Sequence, residues 1–359
     1  CGAELVGMEL TQGPMFCVWD RRFYTPGASQ FQCFGAKIIN ALGERIMEKY
    51  APVGKEPLSD MALIGQAIIK ETLEGRGPVY FDMRGWTDEQ VAKLRKVLPG
   101  VMRAFDRAGI NVQERPVEST PIVGLWDGAG EGGLQIGFDC QTNIPGLYAA
   151  GVAAQLSGSI SSVVFEQAFA NVSGYRAGEN SAKTASRLEV PKLDERQIGR
   201  LQEQAFAPLR KKEGVSPDDI FKMAHQVVVP LENSMFKNEE RINRVLSEVR
   251  RIAREEMPKI SAGDAHDLVK ANEARNFVSL AELVYCVARE RKESRLNHWR
   301  EDYPYRDDVD WLKWVIVRAG NTGPQIRIEP LPLERYPFQP PERARIPAAV
   351  QFSFKEVTE

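Results

Sequence analysis

Histidine is scarce in this chain of 359 residues: only His225, His266 and His298 occur, all beyond residue 224. Acid–base chemistry in the first 224 residues therefore falls to Arg, Lys, Tyr, Cys or carboxylates. The five cysteines (Cys1, Cys17, Cys33, Cys140 and Cys286) are scattered, with no CxxC pair. That spacing argues against a zinc site or an iron–sulfur cluster within the chain and suits a reducing compartment. Charge of one sign is missing too: the formal net charge is −2, so no global field favours nucleic acid or an acidic membrane. No apolar run approaches the roughly 18–20 residues of a membrane span. No internal repeat or low-complexity tract is present. Together these absences point to a soluble, cytoplasmic protein that does not bind nucleic acid.

What is there is an ordinary globular composition, 43% hydrophobic and 27% charged, long enough for two or three domains. The first residues, "CGAELVGMEL", lack an initiator Met and a signal-like apolar stretch. They open in the middle of an element, so a fragment, or the downstream product of a split gene, is expected.

Residues 1–12 alternate apolar and small residues before Gly13-Pro14. In "FQCFGAKIINALGERIMEKY", residues 31–50, "KIIN" suits a strand, "ALGER" a turn and "IMEKY" the next pairing segment. Apolar spacing predicts a helix over 59–75, with Ser59 as N-cap and Gly75 as the stop. "GPVYFDM" follows as a strand. Residues 87–108 predict a helix pair broken near Pro99, opened by Thr87 with Gln90 at capping-box spacing. From about Thr120, "GGLQIGFDCQTNIPGLYAAG" reads as a hairpin and then a buried strand, "GLYAAG", with a helix over 161–178. Charged amphipathic helices run from about Leu193 to residue 294, a helical bundle. The Pro-rich tail, 320–359, reads as short strand-like pieces.

The stretch "IPGLYAAGVAAQLSGSISS", residues 144–162, is the first candidate site. The first N–H groups of a helix lack partners and together carry about half a positive charge. Small residues there admit a planar or anionic ligand, such as the pyrimidine edge of a flavin, and Ser159, Ser161 and Ser162 can add hydrogen bonds. Close strand–helix packing explains the same composition equally well. "GAGEGG", residues 128–133, is glycine-rich but precedes a strand, so it fails the dinucleotide-binding context. Arg21-Arg22, beside Trp19, Phe23 and Tyr24, can bind a carboxylate or sulfate with bidentate geometry, or simply form a solvated turn. In "RERKESRLNHWREDYPYRDDVDW", residues 289–311, Arg289, Arg291, Arg295 and Arg300 can reach Glu290, Glu293, Asp302, Asp307 and Asp308. Such an ion-pair lattice usually fastens a chain segment.

The ordered set "GAELVGMEL", "LGERIMEKYAP", "EGRGPVYFDM", "GGLQIGFDCQTNIPGLYAAG", "GYRAG" and "ARERKESRLNHWREDYPYRDDVDWL" resembles the flavoprotein subunits of succinate dehydrogenase and fumarate reductase. L-aspartate oxidase and the alpha chain of adenylylsulfate reductase are similar. The resemblance implies an α/β plus α fold: a partial FAD-binding domain, an α+β capping domain and a C-terminal helical bundle domain. Its boundaries would be 1–14 for the late FAD-domain segment, 15–118 for the capping domain, 119–184 for the returning FAD segment, 185–318 for the helical domain and 319–359 for an extended tail. The family's N-terminal Rossmann half has no counterpart. FAD is the implied cofactor, with Ala150, Gly151, Val152, Ser159, Ser161 and Ser162 as the residues that would meet it. A separate iron–sulfur electron-transfer subunit is an implied partner, placing the protein at a membrane periphery through that partner; a homo-oligomer is the other implied assembly.

The departures bear on the substrate. No His follows "MEL"; Gln32 falls where the family's proton-donating Arg would stand; Val152 replaces the Glu of its "GLYAAGE". Arg of the family's next turn and His before its "MGGI" are also missing. A four-carbon dicarboxylate needs clustered cations, and a proton needs a donor at the flavin face. Succinate or fumarate is therefore not the expected substrate. An FAD-dependent oxidoreductase with a different small-molecule substrate is the first expectation. A non-catalytic flavoprotein-like assembly subunit is one alternative. An adenylylsulfate-reductase-like flavoenzyme, with Arg21 and Arg22 on its anion, is the other.

Overall fold

The computed structural model describes residues 2–10, 15–25, 29–53, 55–58, 61–122, 132–154, 163–189, 192–296, 298–320, 323–337 and 342–347. They fall into two compact units, one from segments Cys1–Gln12 and Gly124–Pro347, the other from Gly13–Val123. Ser59, Ser159, Ser161 and Ser162 lie outside the described residues.

The chain enters with β1 (Leu5–Val6) and then builds the second unit. Its sheet comprises β2 (Met15–Asp20), β3 (Phe23–Thr25), β4 (Lys37–Ile39), β5 (Val79–Asp82) and β6 (Val117–Ile122), antiparallel in the order β3-β2-β6-β5-β4. Alternation decides which face is covered: Val79 and Phe81 of β5 are buried, while Tyr80 and Asp82 are half-buried. Around this sheet run α1 (Ser29–Cys33), α2 (Met47–Tyr50), α3 (Lys55–Leu58), α4 (Met61–Glu71), α5 (Asp88–Val97) and α6 (Pro99–Arg107). Ile64, Ala67 and Ile68 of α4, Phe31 of α1 and Phe105 of α6 join Phe81 in one core. Phe31 meets Phe81 edge-on at 5.3 Å between ring centroids. Each such aromatic contributes about 1.5–3 kcal/mol through burial.

The expected capping box is present: Gln90 N–H donates to Thr87 Oγ1 at 3.3 Å, and Thr87 N–H donates to Gln90 Oε1 at 2.9 Å. Pro99 occupies the first turn of α6, where its missing N–H costs nothing. Gly75 adopts φ +79° in the wide turn that follows α4, as a helix stop requires. "IMEKY" is a correction, because Met47–Tyr50 is helix instead of strand. Ile46 and Met47 are buried and Tyr50 half-buried, a three-to-four spacing that only a helical turn puts on one side.

In the first unit, β7 (Gly133–Leu134), β9 (Lys313–Gly320) and β10 (Gly323–Pro330) extend β1 into an antiparallel sheet of order β10-β9-β1-β7. Residues 323–330, expected in the extended tail, therefore form a full sheet strand. β8 (Tyr305–Asp307) pairs separately with β11 (Arg345–Pro347). The helices are α7 (Val163–Ala185), α8 (Glu195–Phe206), α9 (Pro217–Val228), α10 (Leu231–Ser234), α11 (Glu239–Arg251) and α12 (Ala265–Glu290). Asp194, Ser216, Asn238 and Asp264 cap the N-termini of α8, α9, α11 and α12 through their side chains. The bundle core is made by Ile220 and Val228 of α9, Val245 and Val249 of α11, and the small stripe Ala271, Ala274, Val278, Ala281, Ala288 of α12. Among the described residues, no helix is long and apolar enough to cross a membrane.

"GLYAAG" is not a buried strand. Thr142 N–H donates to Leu147 O at 2.9 Å and Ala149 N–H to Cys140 O at 3.0 Å, folding 140–149 into a tight hairpin through Gly146 at φ +81°. Thr142, whose Oγ1 accepts the Ile144 N–H, and Gly146 supply the turn chemistry, so the segment pairs with its own upstream residues and never reaches a central strand position. Most of "GAGEGG" lies outside the described residues; Gly133 opens β7, so the run precedes a strand, as expected.

Candidate functional site

The hairpin delivers the chain to the candidate turn. Ala150 is extended (φ −148°, ψ 160°), and a short 3-10 turn, Gly151–Ala153, begins with Gly151 at φ +57°. That left-handed φ favours glycine. Gly151 N–H donates to Ser173 Oγ of α7 at 2.9 Å. On the other side, Leu134 of β7 bridges Ala154, and a Cβ on Gly133 would lie 2.8 Å from the Ala154 carbonyl carbon. The turn is thus pinned between β7 and α7 while its tip stays open: Val152 is 67% exposed. Ala150 and Gly151 are half-buried. Beyond it, α7 is largely exposed. Of its residues 167–185, only Ser173 and Ala177 are buried, and Tyr175 is 72% exposed.

Arg21 and Arg22 sit together in the β2–β3 turn, both exposed. Arg22 is engaged: its Nε meets Asp20 Oδ1 at 2.7 Å and its Nη1 donates to Ala108 O at 2.7 Å, closing the C-terminus of α6. The Arg22 guanidinium brings the Asp20 carboxyl down to about 2. Gln32 lies on α1, buried, with its Oε1 unpartnered. Sequence reasoning placed no weight on Glu71, which is 1% exposed at the end of α4. It accepts from Tyr50 Oη at 2.6 Å, Asn40 Nδ2 at 3.0 Å, Arg76 Nη2 at 2.7 Å and Lys49 Nζ at 3.3 Å. Burial opposes its ionisation, yet Arg76, Tyr50, Asn40 and Lys49 bring it down to about 2. Satisfied on all sides, the cluster fixes the "LGERIMEKY" turn and offers no ligand a vacancy. The readable signal was Asn40, whose Oδ1 takes the Leu42 and Glu44 N–H groups, an Asx-type turn.

The lattice over 289–311 is a fastening. Arg291 reaches Glu293 at 2.8 Å and Glu9, beside β1, at 2.6 Å. Arg295 joins Glu293 and Asp308, and Arg300 joins Asp302 at 2.6 Å. Arg300 Nη1 also donates to the carbonyls of Ala288, Arg289 and Arg291, closing the C-terminal end of α12. Partners remote in sequence were not foreseen: Glu9, the Arg241–Glu301 pair, and Arg345, which holds Asp307 and Asp310. Among the described residues, no group of three His, Cys, Asp or Glu can hold a metal ion.

Residues 226–345 match the family described as "Fumarate reductase flavoprotein C-term". A protein named an uncharacterized FAD-dependent oxidoreductase of Methanocaldococcus jannaschii is 29% identical over 326 residues, covering 89% of this chain and 57% of its own. A fumarate reductase (CoM/CoB) chain of Methanothermobacter marburgensis is 28% identical over 331 residues, with 88% and 57% covered. The chain is similar to the succinate dehydrogenase and fumarate reductase flavoprotein subunits. It spans little more than half the length of these flavoproteins. Solved structures agree in fold: a quinol fumarate reductase of E. coli superimposes with TM-score 0.75 at 18% identity, covering 95% of this chain and 61% of that one. Adenylylsulfate reductase of Archaeoglobus fulgidus does so with TM-score 0.72 at 18% identity, covering 92% and 60%. The mixed α/β fold is that of these flavoproteins.

Proposed function

We propose that the chain is part of an FAD-dependent oxidoreductase whose small-molecule substrate is neither succinate nor fumarate. The observation that carries this is the match over 88–89% of the chain to flavoprotein relatives, combined with an open, uncharged turn at 150–153. The turn suits a flavin edge: its residues are small, Gly151 takes a left-handed φ, and Ser173 fixes its backbone. Bound there, FAD would supply reversible electron transfer. In this proposal the backbone of Ala150, Gly151 and Val152 approaches the flavin, and Ser159, Ser161 and Ser162 extend the contact. Val152 in place of a carboxylate keeps this edge neutral.

The substrate side follows from the second unit. Arg21 attracts an anionic group, while Arg22 is spent on Asp20 and Ala108. Gln32 presents an unpartnered amide oxygen where the family's Arg would deliver a proton; an amide binds but does not donate as an acid. The remaining cofactor contacts come from polypeptide outside these residues. Two facts support this: the relatives are longer, with only 57% of their length covered, and α7 is bare. Val172 and Tyr175 are large apolar side chains that it leaves exposed. Electrons pass to a separate iron–sulfur subunit, and the assembly is cytoplasmic or membrane-peripheral through that partner.

Co-expression with the coding sequence immediately upstream tests the proposal. A purified complex with flavin absorbance, bleached by a reductant and unaffected by succinate or fumarate, is the expected result; a colourless complex overturns it. Two other readings have specific support. The missing cations and acid favour a non-catalytic assembly subunit, which fails if a physiological donor reduces the flavin at useful rates. The Arg21-Arg22 turn favours an adenylylsulfate-reductase-like activity, which fails if Arg21→Ala leaves sulfite- and adenylylsulfate-dependent turnover unchanged.

A further inference from the structure

The helical unit holds two bases that the proposed reaction does not use. Lys237, just before α11, and His298 are both 0% exposed. Among the described residues, Lys237 Nζ and His298 Nδ1 have no hydrogen-bond partner. Cations surround them: Arg300 stands near Lys237, while Lys237, Arg291 and Arg300 stand near His298. Most carboxylates of the neighbouring elements are paired with arginines. Glu9 beside β1 serves Arg291 through Oε1, its buried Oε2 having no hydrogen-bond partner among the described residues, Glu293 serves Arg291 and Arg295, Asp302 serves Arg300, and Glu301 serves Arg241 of α11.

These bases are also tied mechanically to the closure of α12. Glu301 N–H donates to Lys237 O at 2.8 Å, and Lys237 bridges Arg300 backbone to backbone. His298 Nε2 lies 3.2 Å from Arg291 O, a carbonyl that Arg300 also reaches. A charge added at either nitrogen therefore acts directly on the groups that fold residues 291–303 against the helix end.

We propose that this cluster is an acid-sensitive latch: uncharged Lys237 and His298 let residues 291–303 stay clamped across the C-terminal end of α12, and proton uptake at either one opens the clamp. The proton comes from solvent and puts a positive charge beside Arg300 or Arg291. Burial, and then Arg300, hold the Lys237 ammonium down from 10.5 to about 7. Burial, and then Lys237 and Arg291, hold the His298 imidazole well below 6.5. Both folded values lie under the unfolded ones, so the unfolded chain binds more protons. Stability thus rises with pH between about 7 and 10.5 through Lys237, and falls as pH drops below 6.5 through His298. In the lysine window, the folding constant changes by up to about tenfold per pH unit.

The test is urea titration of the whole chain from about pH 5 to pH 9, with Lys237→Met and His298→Gln alongside. The wild type should gain close to about tenfold in folding constant per unit above about pH 7.5. Lys237→Met should be flat there, and His298→Gln should lose the slope below about pH 6.5 only. A flat wild type, or an unchanged slope in Lys237→Met, overturns the latch. If the variants do not fold, hydrogen-exchange protection in the wild type decides. Amides of 298–303 should lose protection on acidification from about pH 8 to pH 6 before those of α11; equal loss in both overturns it.

Discussion

Two regions of the first unit solve opposite problems. Over 291–310, nearly every charged group is paired, and Arg291, Glu293, Arg300, Asp307 and Asp308 are buried, so the segment is specified several times over. Over 147–154 and along α7, a few side-chain bonds, Gly151 to Ser173, Tyr148 to Thr184 and Asn180 to Asp139, and one close backbone approach at Gly133 hold a turn whose tip and following helix face outward. The contrast separates a fastening from a surface left open for something else. Density of charged residues, so conspicuous by eye, marks the fastening; the quiet, uncharged stretch marks the candidate site.

Substitutions can break or sharpen that contrast. Arg300→Met should cost most, about 3 kcal/mol in urea unfolding, because it leaves the Ala288, Arg289 and Arg291 carbonyls at the end of α12 without their donor. Glu293→Gln should cost about 2–3 kcal/mol, since one carboxylate serves Arg291, Arg295 and the Asp307 N–H. In the open region, Ser173→Ala should cost about 1 kcal/mol by orphaning the Gly151 N–H. Val152→Ser should shift stability by less than about 0.5 kcal/mol, the side chain being largely exposed. It should nonetheless change the flavin absorbance or affinity of the complete complex. If Val152→Ser destabilises as much as Glu293→Gln, the open region is a structural one after all.

Local chemistry was legible from the sequence, and distant chemistry was not. Thr87 with Gln90, Pro99 and Gly75 announced their elements because each acts on backbone groups within a few residues. The pairing of 289–311 was readable for the same reason: its arginines and carboxylates are neighbours. Glu9 and Arg345 were invisible because their partners lie hundreds or tens of residues away, and burial cannot be read from a lone Glu or Arg. "IMEKY" and "GLYAAG" misled through composition: short apolar runs fit strand and helix alike, and Asn40 and Thr142, through their turns, decided the outcome. At the candidate site, the turn glycine and small residues were visible, but its pinning by Ser173 depends on a helix that follows later. Lys237 carried no sequence signal at all, since only its sealed surroundings make it unusual.

Gly133 has a consequence for anyone who would randomise this protein. Its place against the Ala154 carbonyl leaves no room for a Cβ, so a saturation library at that position should return glycine and little else. Val152, on the turn that the same contact holds, should accept almost any amino acid in a screen for folding alone. A position intolerant for reasons of space and one permissive until a cofactor is present would then stand side by side. Comparing the library with and without flavin selection would draw the outline of the cofactor directly from which substitutions survive.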